Sequence, residues 1–292
     1  MDVDAVVTDI DGVLVDTSES YHRAIVESVC ALHGETIERH DTQAFKNAGG
    51  FNNDWVTTDA VALYVLVRQH GYDISIGEFT DIIEAFGGGL EGTRNALADL
   101  LTPADREVVL DAWDPAELRR TFQWLYLGPE RYREFEDDPL PAHRPDNAGF
   151  MDDEPILLDP QMRSFLQEQV TAGVLTGRPK KEAWVALERV GLSPPPELIR
   201  TMDDWEGSKP DPDGLVDIAK NSGAQTVVYI GDELDDVRTA VNANAADPDR
   251  SYVGVGVLTG GLSGPDGRRA LLDVGADEVL ESINDLPGML AD

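Results

Sequence analysis

The stretch that decides the fold is "AVVTDIDGVLVDT", which runs from Ala5 to Thr17. An apolar run over residues 3–8 leads directly into Asp9 and Asp11, which have one residue between them. Such a run predicts a short buried strand. Two like charges this close are unfavourable unless a positive group neutralises them, and a metal ion is the usual solution. The stretch therefore predicts a buried strand that ends at a metal site.

The second half of the chain alternates between short apolar runs and helical patterns. Strands are predicted in "AGVLTGRP", where the strand ends at Thr176, and in "LIRTM", "TVVYIGDE" and "SYVGVGVLTGG". Helices are predicted from Asp159-Pro160 and over "KKEAWVALERVG", "DPDGLVDIAKNSG" and "LDDVRTAVNANA". Apolar strands that alternate with helices indicate a parallel sheet covered on both faces. The predicted fold class is therefore α/β, with a Rossmann-like parallel sheet.

A helical insertion is predicted between the first strand and the rest of that sheet. From about Glu35 to Phe135 apolar residues recur at helical spacing, and the proline- and acid-rich segment Glu136–Pro155 indicates a return linker. The strand at residues 3–8 has no core of its own, so it must pair with the later strands. We expect a core domain of residues 1–17 and 156–292, interrupted by an all-helical insertion over residues 18–155.

The composition restricts the possible partners. The chain has 292 residues, of which 41% are hydrophobic, and 56 acidic against 23 basic residues give a net charge of −33. This charge argues against nucleic acids and anionic membranes as partners. The composition resembles that of proteins from salt-accumulating archaea, in which concentrated salt screens the repulsion between acidic side chains. The single cysteine, Cys30, which we expect in the core, and the absence of a signal-peptide pattern favour a cytoplasmic protein.

Polar residues follow four of the predicted strands. In open parallel sheets, ligands and catalytic groups lie just beyond the carboxyl ends of the strands. They are Asp9, Asp11, Thr176, Gly177, Arg178, Lys209, Asp232 and Asp236. Carboxylate oxygens suit Mg²⁺, which shares its coordination with waters and phosphate. A hydroxyl, a backbone N–H and one of only five lysines would supply positive potential to phosphate oxygens. A carboxylate can then attack phosphorus while a second one acts as acid and base.

Four motifs in this order resemble those of the haloacid dehalogenase (HAD) superfamily of phosphohydrolases. They are "DIDGVLVDT", "LTGRP", "SKPDP" and "GDELDD", and the insertion after the first motif resembles the helical cap of the phosphoglycolate phosphatase-like subgroup. The resemblance covers the core, roughly half of the chain. It implies a Mg²⁺-dependent phosphatase that forms an aspartyl-phosphate and acts on a small phosphorylated metabolite.

The same resemblance implies roles for individual residues. Asp9 is the expected nucleophile and Asp11 the expected acid/base. Thr176 and Lys209 are expected to stabilise the phosphate, and Gly177 and Arg178 to bind it. The expected Mg²⁺ ligands are Asp9, the backbone carbonyl of Asp11, and Asp232. Asp236 is also assigned to the metal site and matches a position that usually acts through water or orients the loop.

Two features depart from the family pattern. Glu233 stands where serine or threonine is more common, and the insertion is longer than the usual cap. Within the insertion, "GGFNNDW" places Asn52 and Asn53 where they could bind a polar substrate, although a helix cap followed by a core tryptophan explains the stretch equally well. The run from Gly254 to Gly260 is one residue too long for a dinucleotide fingerprint, so we expect a glycine-rich loop at the rim of the active site.

Two alternatives to a phosphatase remain open at this point. A phosphomutase of the same fold would return the phosphoryl group to its substrate rather than to water. A non-enzymatic metabolite-binding or regulatory protein would have lost catalytic residues, and all the motif positions are intact here.

Overall fold

The computed structural model describes residues 3–51, 53–205 and 207–291, and the chain divides into two compact units. Unit 1 comprises Met1–Ser18 and Glu154–Asp292, and unit 2 comprises Glu19–Asp153. In unit 1 the outgoing and returning chain segments pair: Asp16 N donates to Pro155 O and Leu157 N donates to Leu14 O, both at 2.9 Å. Unit 2 is therefore an insertion whose two connections are held side by side.

Unit 1 contains a six-stranded parallel sheet. Its strands are β1 (Ala5–Thr8), β2 (Thr171–Leu175), β3 (Ile199–Arg200), β4 (Thr226–Gly231), β5 (Ser251–Val257) and β6 (Glu278–Leu280). The spatial order is β3-β2-β1-β4-β5-β6, so the first strand lies between β2 and β4. All four residues of β1 are buried, with Val6 in one apolar cluster and Val7 in another. Burial on both faces explains why β1 is apolar without alternation.

The helices of unit 1 connect the strands and cover the sheet. They are α8 (Pro160–Glu168), α9 (Lys180–Val190), α10 (Asp213–Ser222), α11 (Leu234–Ala246), α12 (Gly264–Asp273) and α13 (Leu286–Ala291). The side chain of Asp159 caps the start of α8 by accepting a hydrogen bond from Met162 N, as the Asp-Pro pair predicts.

Unit 2 is helical over its described residues. Its helices are α1 (Ser18–His33, beginning one residue before the unit), α2 (Thr42–Asn47), α3 (Asp54–Gln69), α4 (Ile76–Ala85), α5 (Gly89–Leu100), α6 (Pro103–Ala112) and α7 (Pro115–Phe135). The backbone of α7 leaves helical geometry at Gly128, directly before Pro129. In the described residues the structure has no helix with the length and apolar character that a membrane span requires.

The predicted α/β class with a helical insertion is confirmed, with local corrections. The first strand begins at Ala5 rather than Val3, and the strand expected over "LIRTM" shortens to Ile199–Arg200. The sequence did not predict α12, β6 and α13, because α12 is largely polar and β6 and α13 span only 3 and 6 residues. Cys30 is exposed, so its placement in the core was wrong.

Candidate active site

The nucleophile candidate Asp9 directly follows the central strand β1. Its backbone N–H donates to Ile230 O at 2.9 Å, which continues the pairing with β4 for one residue. The residue is 4% exposed, and its Oδ1 accepts a hydrogen bond of 2.7 Å from Ile10 N. Burial raises the pKa of Asp9 to about 7, although Lys209 opposes the shift. The carboxylate is thus held in one orientation at the carboxyl edge of the sheet.

Lys209 brings two distant parts of the chain together. Its Nζ lies 2.6 Å from Asp9 Oδ2 and 2.6 Å from Asp236 Oδ1. Burial alone would lower the pKa of Lys209, but the carboxylates of Asp236 and Asp9 outweigh it and hold the pKa well above its ordinary value. One ammonium therefore remains charged between two buried carboxylates.

Three buried carboxylates form a group that fits a divalent cation. One oxygen from each of Asp9, Asp232 and Asp236 lies within 4.8 Å of the others. Burial, followed by the negative charges of Asp236 and Glu233, raises the pKa of Asp232 well above its ordinary value. Lys209 supplies one positive charge against three carboxylates, so the ionised group would carry an excess of buried negative charge that a bound cation would offset. Hard oxygen donors with such an excess match the preference of Mg²⁺.

Two glycines make room for the Asp232 carboxylate. A Cβ atom added at Gly12 or at Gly260 would overlap the carboxyl group of Asp232. Gly12 also adopts φ +66°, a conformation that other residues rarely take. The hydroxyl of Thr259 donates to Gly12 O and joins the two loops. Gly254 and Gly256 belong to β5 itself, so of the glycine-rich run only Gly260, beyond the end of the strand, lies against Asp232.

Asp236 already has partners for both of its oxygens. Oδ1 accepts from Lys209 Nζ and, at 2.8 Å, from the hydroxyl of Tyr229, while Oδ2 accepts from Glu233 N at 3.0 Å. These contacts hold Asp236 against Lys209, and its assignment to the metal site stays a prediction. Tyr229 was missed by the sequence, because a tyrosine within the apolar run of β4 resembles any other core residue.

The loop after β2 carries its charge on Arg178, which forms ion pairs outside the group of three buried carboxylates. Thr176 is buried, and its Oγ1 accepts from Arg178 N at 3.2 Å, whereas Gly177 has open space around its Cα. The guanidinium of Arg178 instead contacts Asp11, with Nε 2.6 Å from Oδ1, and Glu154. The side chain of Asp11 therefore lies with Arg178 and not within the three-carboxylate group.

The two asparagines predicted to bind substrate lie in the insertion. Asn52 lies outside the described residues. Asn53 caps α3, because its side-chain oxygen accepts a hydrogen bond of 2.8 Å from Trp55 N. Its contribution to substrate binding stays a prediction.

Comparison with solved structures gives the same fold. A phosphatase from Thermococcus thioreducens is 24% identical, with a TM-score of 0.63 over 86% of this chain and 92% of that one. A predicted phosphoglycolate phosphatase from Haemophilus somnus is 12% identical, with a TM-score of 0.56 over 98% and 97%. A candidate β-phosphoglucomutase from Thermotoga maritima is 15% identical, with a TM-score of 0.53 over 99% and 98%.

A search of the curated proteins found no match to this sequence. The family model described as haloacid dehalogenase-like hydrolase matches residues 3–244, which include all four motifs and the complete insertion. On this match, the chain belongs to the haloacid dehalogenase-like hydrolase family.

Proposed function

We propose that the protein is a Mg²⁺-dependent phosphatase that hydrolyses a phosphomonoester of a small metabolite through an aspartyl-phosphate at Asp9. The observation that carries this proposal is the Lys209 ammonium, which joins buried Asp9 to Asp236 beside Asp232. The side chains proposed as nucleophile, as cation for the phosphate oxygens and as metal ligands are thus in contact or close to one another.

The residues divide the reaction between them. The Asp9 carboxylate attacks phosphorus as the bond to the leaving oxygen breaks, and Asp11 gives its proton to that oxygen. Water then attacks the aspartyl-phosphate, Asp11 takes the water's proton, and the Asp9 carboxylate is released. Lys209, with Thr176 and the Gly177 N–H, would hold the phosphate oxygens.

Asp9, Asp232 and the backbone carbonyl of Asp11 would hold Mg²⁺. The bound ion would offset the charge on the phosphate oxygens and on the carboxylates.

The domain assignment and the cellular setting are part of the same proposal. We assign residues 18–155 as a cap that excludes water during the first transfer. The paired connections at Asp16–Pro155 and Leu14–Leu157 support a hinge at this point. We also propose a cytoplasmic location, in keeping with a metabolite as substrate.

The test measures phosphate release from a panel of phosphorylated metabolites and p-nitrophenyl phosphate, with MgCl₂ in concentrated KCl. We expect turnover by the wild type and a loss of at least about 1,000-fold in Asp9→Asn. Asp137→Asn, at an exposed position of the return segment, is the control and should keep full activity. An active Asp9→Asn variant would contradict the proposal, and an isomerised phosphate ester without free phosphate would indicate a mutase.

A further inference from the structure

A buried chain of alternating charges connects Asp11 to the point where the chain returns from the insertion. Arg178 contacts Oδ1 of Asp11 with both Nε and Nη2, and its Nη2 lies 3.2 Å from Glu154 Oε2. Arg189 holds Glu154 in turn, through Oε2 at 3.3 Å and the backbone carbonyl at 2.6 Å. Glu154 is the first residue of unit 1 after the insertion.

The burial of these groups makes the arrangement costly to disturb. The side chain of Arg178 is 1% exposed and that of Glu154 is 0% exposed. Each charge in such a place requires its partner, because removal of one partner leaves an uncompensated buried charge. The two carboxylates that contact Arg178, those of Asp11 and Glu154, therefore match its buried positive charge.

We propose that Arg178 is a positioning residue for Asp11 and not a phosphate ligand. This inference rests on the proposed function, in which Asp11 is the acid and base. Both of the contacts that the guanidinium makes to Asp11 are to Oδ1, and the Asp11 side chain is 31% exposed. Because the guanidinium engages Oδ1, Oδ2 is the oxygen of Asp11 that is left to face the leaving oxygen. Glu154 fixes the position of Arg178, and through it that of Asp11.

Two substrates with the same phosphoryl group and different leaving groups distinguish positioning from phosphate binding. Phenyl phosphate needs a proton on its leaving oxygen, whereas p-nitrophenyl phosphate releases a stable anion. The parameter kcat/KM covers the steps up to release of the phenol and is free of the later hydrolysis step. Loss of a well-placed acid should therefore affect phenyl phosphate alone, while loss of a phosphate ligand should affect both substrates equally.

The variants are Arg178→Gln, Arg178→Lys and Glu154→Gln, measured in the full-length protein with Mg²⁺. We expect Arg178→Gln to lower kcat/KM about 100-fold for phenyl phosphate and less than about 5-fold for p-nitrophenyl phosphate. Arg178→Lys should recover part of this loss, since one ammonium cannot contact Asp11 and Glu154 as the guanidinium does. Glu154→Gln keeps both Asp11 and Arg178 in the sequence but weakens the contact that positions Arg178. We expect the same selective loss of kcat/KM for phenyl phosphate, but a smaller one.

Arg250→Gln is the control, because Arg250 forms a comparable ion pair with Asp247 at the far end of β5. It should leave the ratio between the two substrates unchanged. An equal loss for both substrates in Arg178→Gln and in Glu154→Gln would overturn the positioning role while leaving the phosphatase in place. A wild type that turns over neither substrate would overturn the proposed function and this inference with it.

Discussion

Tyr229 donates a hydrogen bond of 2.8 Å to Asp236 Oδ1, the same oxygen that contacts Lys209 Nζ. The tyrosine is fully buried in β4, and burial together with the charge of Asp236 raises the pKa of its hydroxyl well above the ordinary value. The hydroxyl therefore remains a donor at any working pH. It fixes Asp236, which in turn fixes the lysine that contacts the nucleophile.

Tyr229→Phe removes this donor and keeps the ring. We expect kcat to fall roughly 10- to 100-fold, because a hydrogen bond to a buried carboxylate is lost beside Lys209. The matched control is Tyr252→Phe, which breaks a buried tyrosine–aspartate bond of 2.9 Å to Asp247. Steady-state kinetics and thermal melts of both variants separate the effects. A similar fall in kcat for both variants would show that the hydrogen bond from Tyr229 to Asp236 acts only on the stability of the fold.

Gly260 gives a test of the metal site that leaves every carboxylate in place. A Cβ at Gly260 would overlap Asp232, whereas one at the next residue, Gly261, would meet nothing within 4 Å. We expect Gly260→Ala to displace Asp232 and to raise the Mg²⁺ concentration for half-maximal activity at least about 10-fold. Gly261→Ala should match the wild type. An unchanged Mg²⁺ requirement in Gly260→Ala would remove Asp232 from the ligand set.

The sequence predicted the convergence of distant motifs because parallel strands end at one edge of a sheet. Asp9 follows β1, Asp232 follows β4, and Lys209 comes from the loop beyond β3, so topology alone brings them near one another. The direction of each side chain at that edge could not be predicted from the sequence. Arg178 follows the same edge, yet its guanidinium turns to Asp11 and Glu154.

The residues that the sequence missed lacked any local pattern. Glu154 is one of many acids in the proline-rich return segment, and its complete burial depends on Arg178 and Arg189, which are 24 and 35 residues away. Cys30 shows the opposite error, since it lies among apolar residues of α1 but on the exposed side. Periodicity places a helix more reliably than it assigns each of its residues to a face.

The net charge of −33 leads to a prediction about salt. Repulsion between exposed carboxylates destabilises the folded chain, and the Debye length falls from about 10 Å at 0.1 M to about 3 Å at 1 M salt. We expect the melting temperature to rise by about 5 °C or more between 0.1 M and 2 M KCl. Thermal melts followed by circular dichroism over a KCl series measure this. A flat or falling series would contradict the salt-adapted interpretation of the composition.

Asp59 in α3 gives a prediction about pH that is independent of the metal site. Its carboxylate accepts a hydrogen bond of 2.9 Å from Trp113 Nε1, and burial raises its pKa to about 6 against the opposing effects of Trp113 and Arg94. The folded state thus binds a proton that the unfolded state has released, from about pH 4 to pH 6. The free energy of unfolding falls as the pH rises through this window. At pH 7.5 Asp59 is ionised in both states, so the full destabilisation by its buried charge is present.

Asp59→Asn keeps an oxygen acceptor for Trp113 and removes the charge. We expect it to be more stable than the wild type at pH 7.5 by about 1 kcal/mol, a value reduced by the part of Asp59 that remains in water. The gain should be smaller at pH 5.0, as measured by urea unfolding in concentrated KCl. Asp105→Asn is the control of opposite sign, because hydrogen bonds from Tyr72, His70 and Thr102 lower the pKa of Asp105 to about 2. Asp105→Asn should destabilise the protein at both pH values. If the stability gained by Asp59→Asn does not grow from pH 5.0 to pH 7.5, the raised pKa assigned to Asp59 is contradicted.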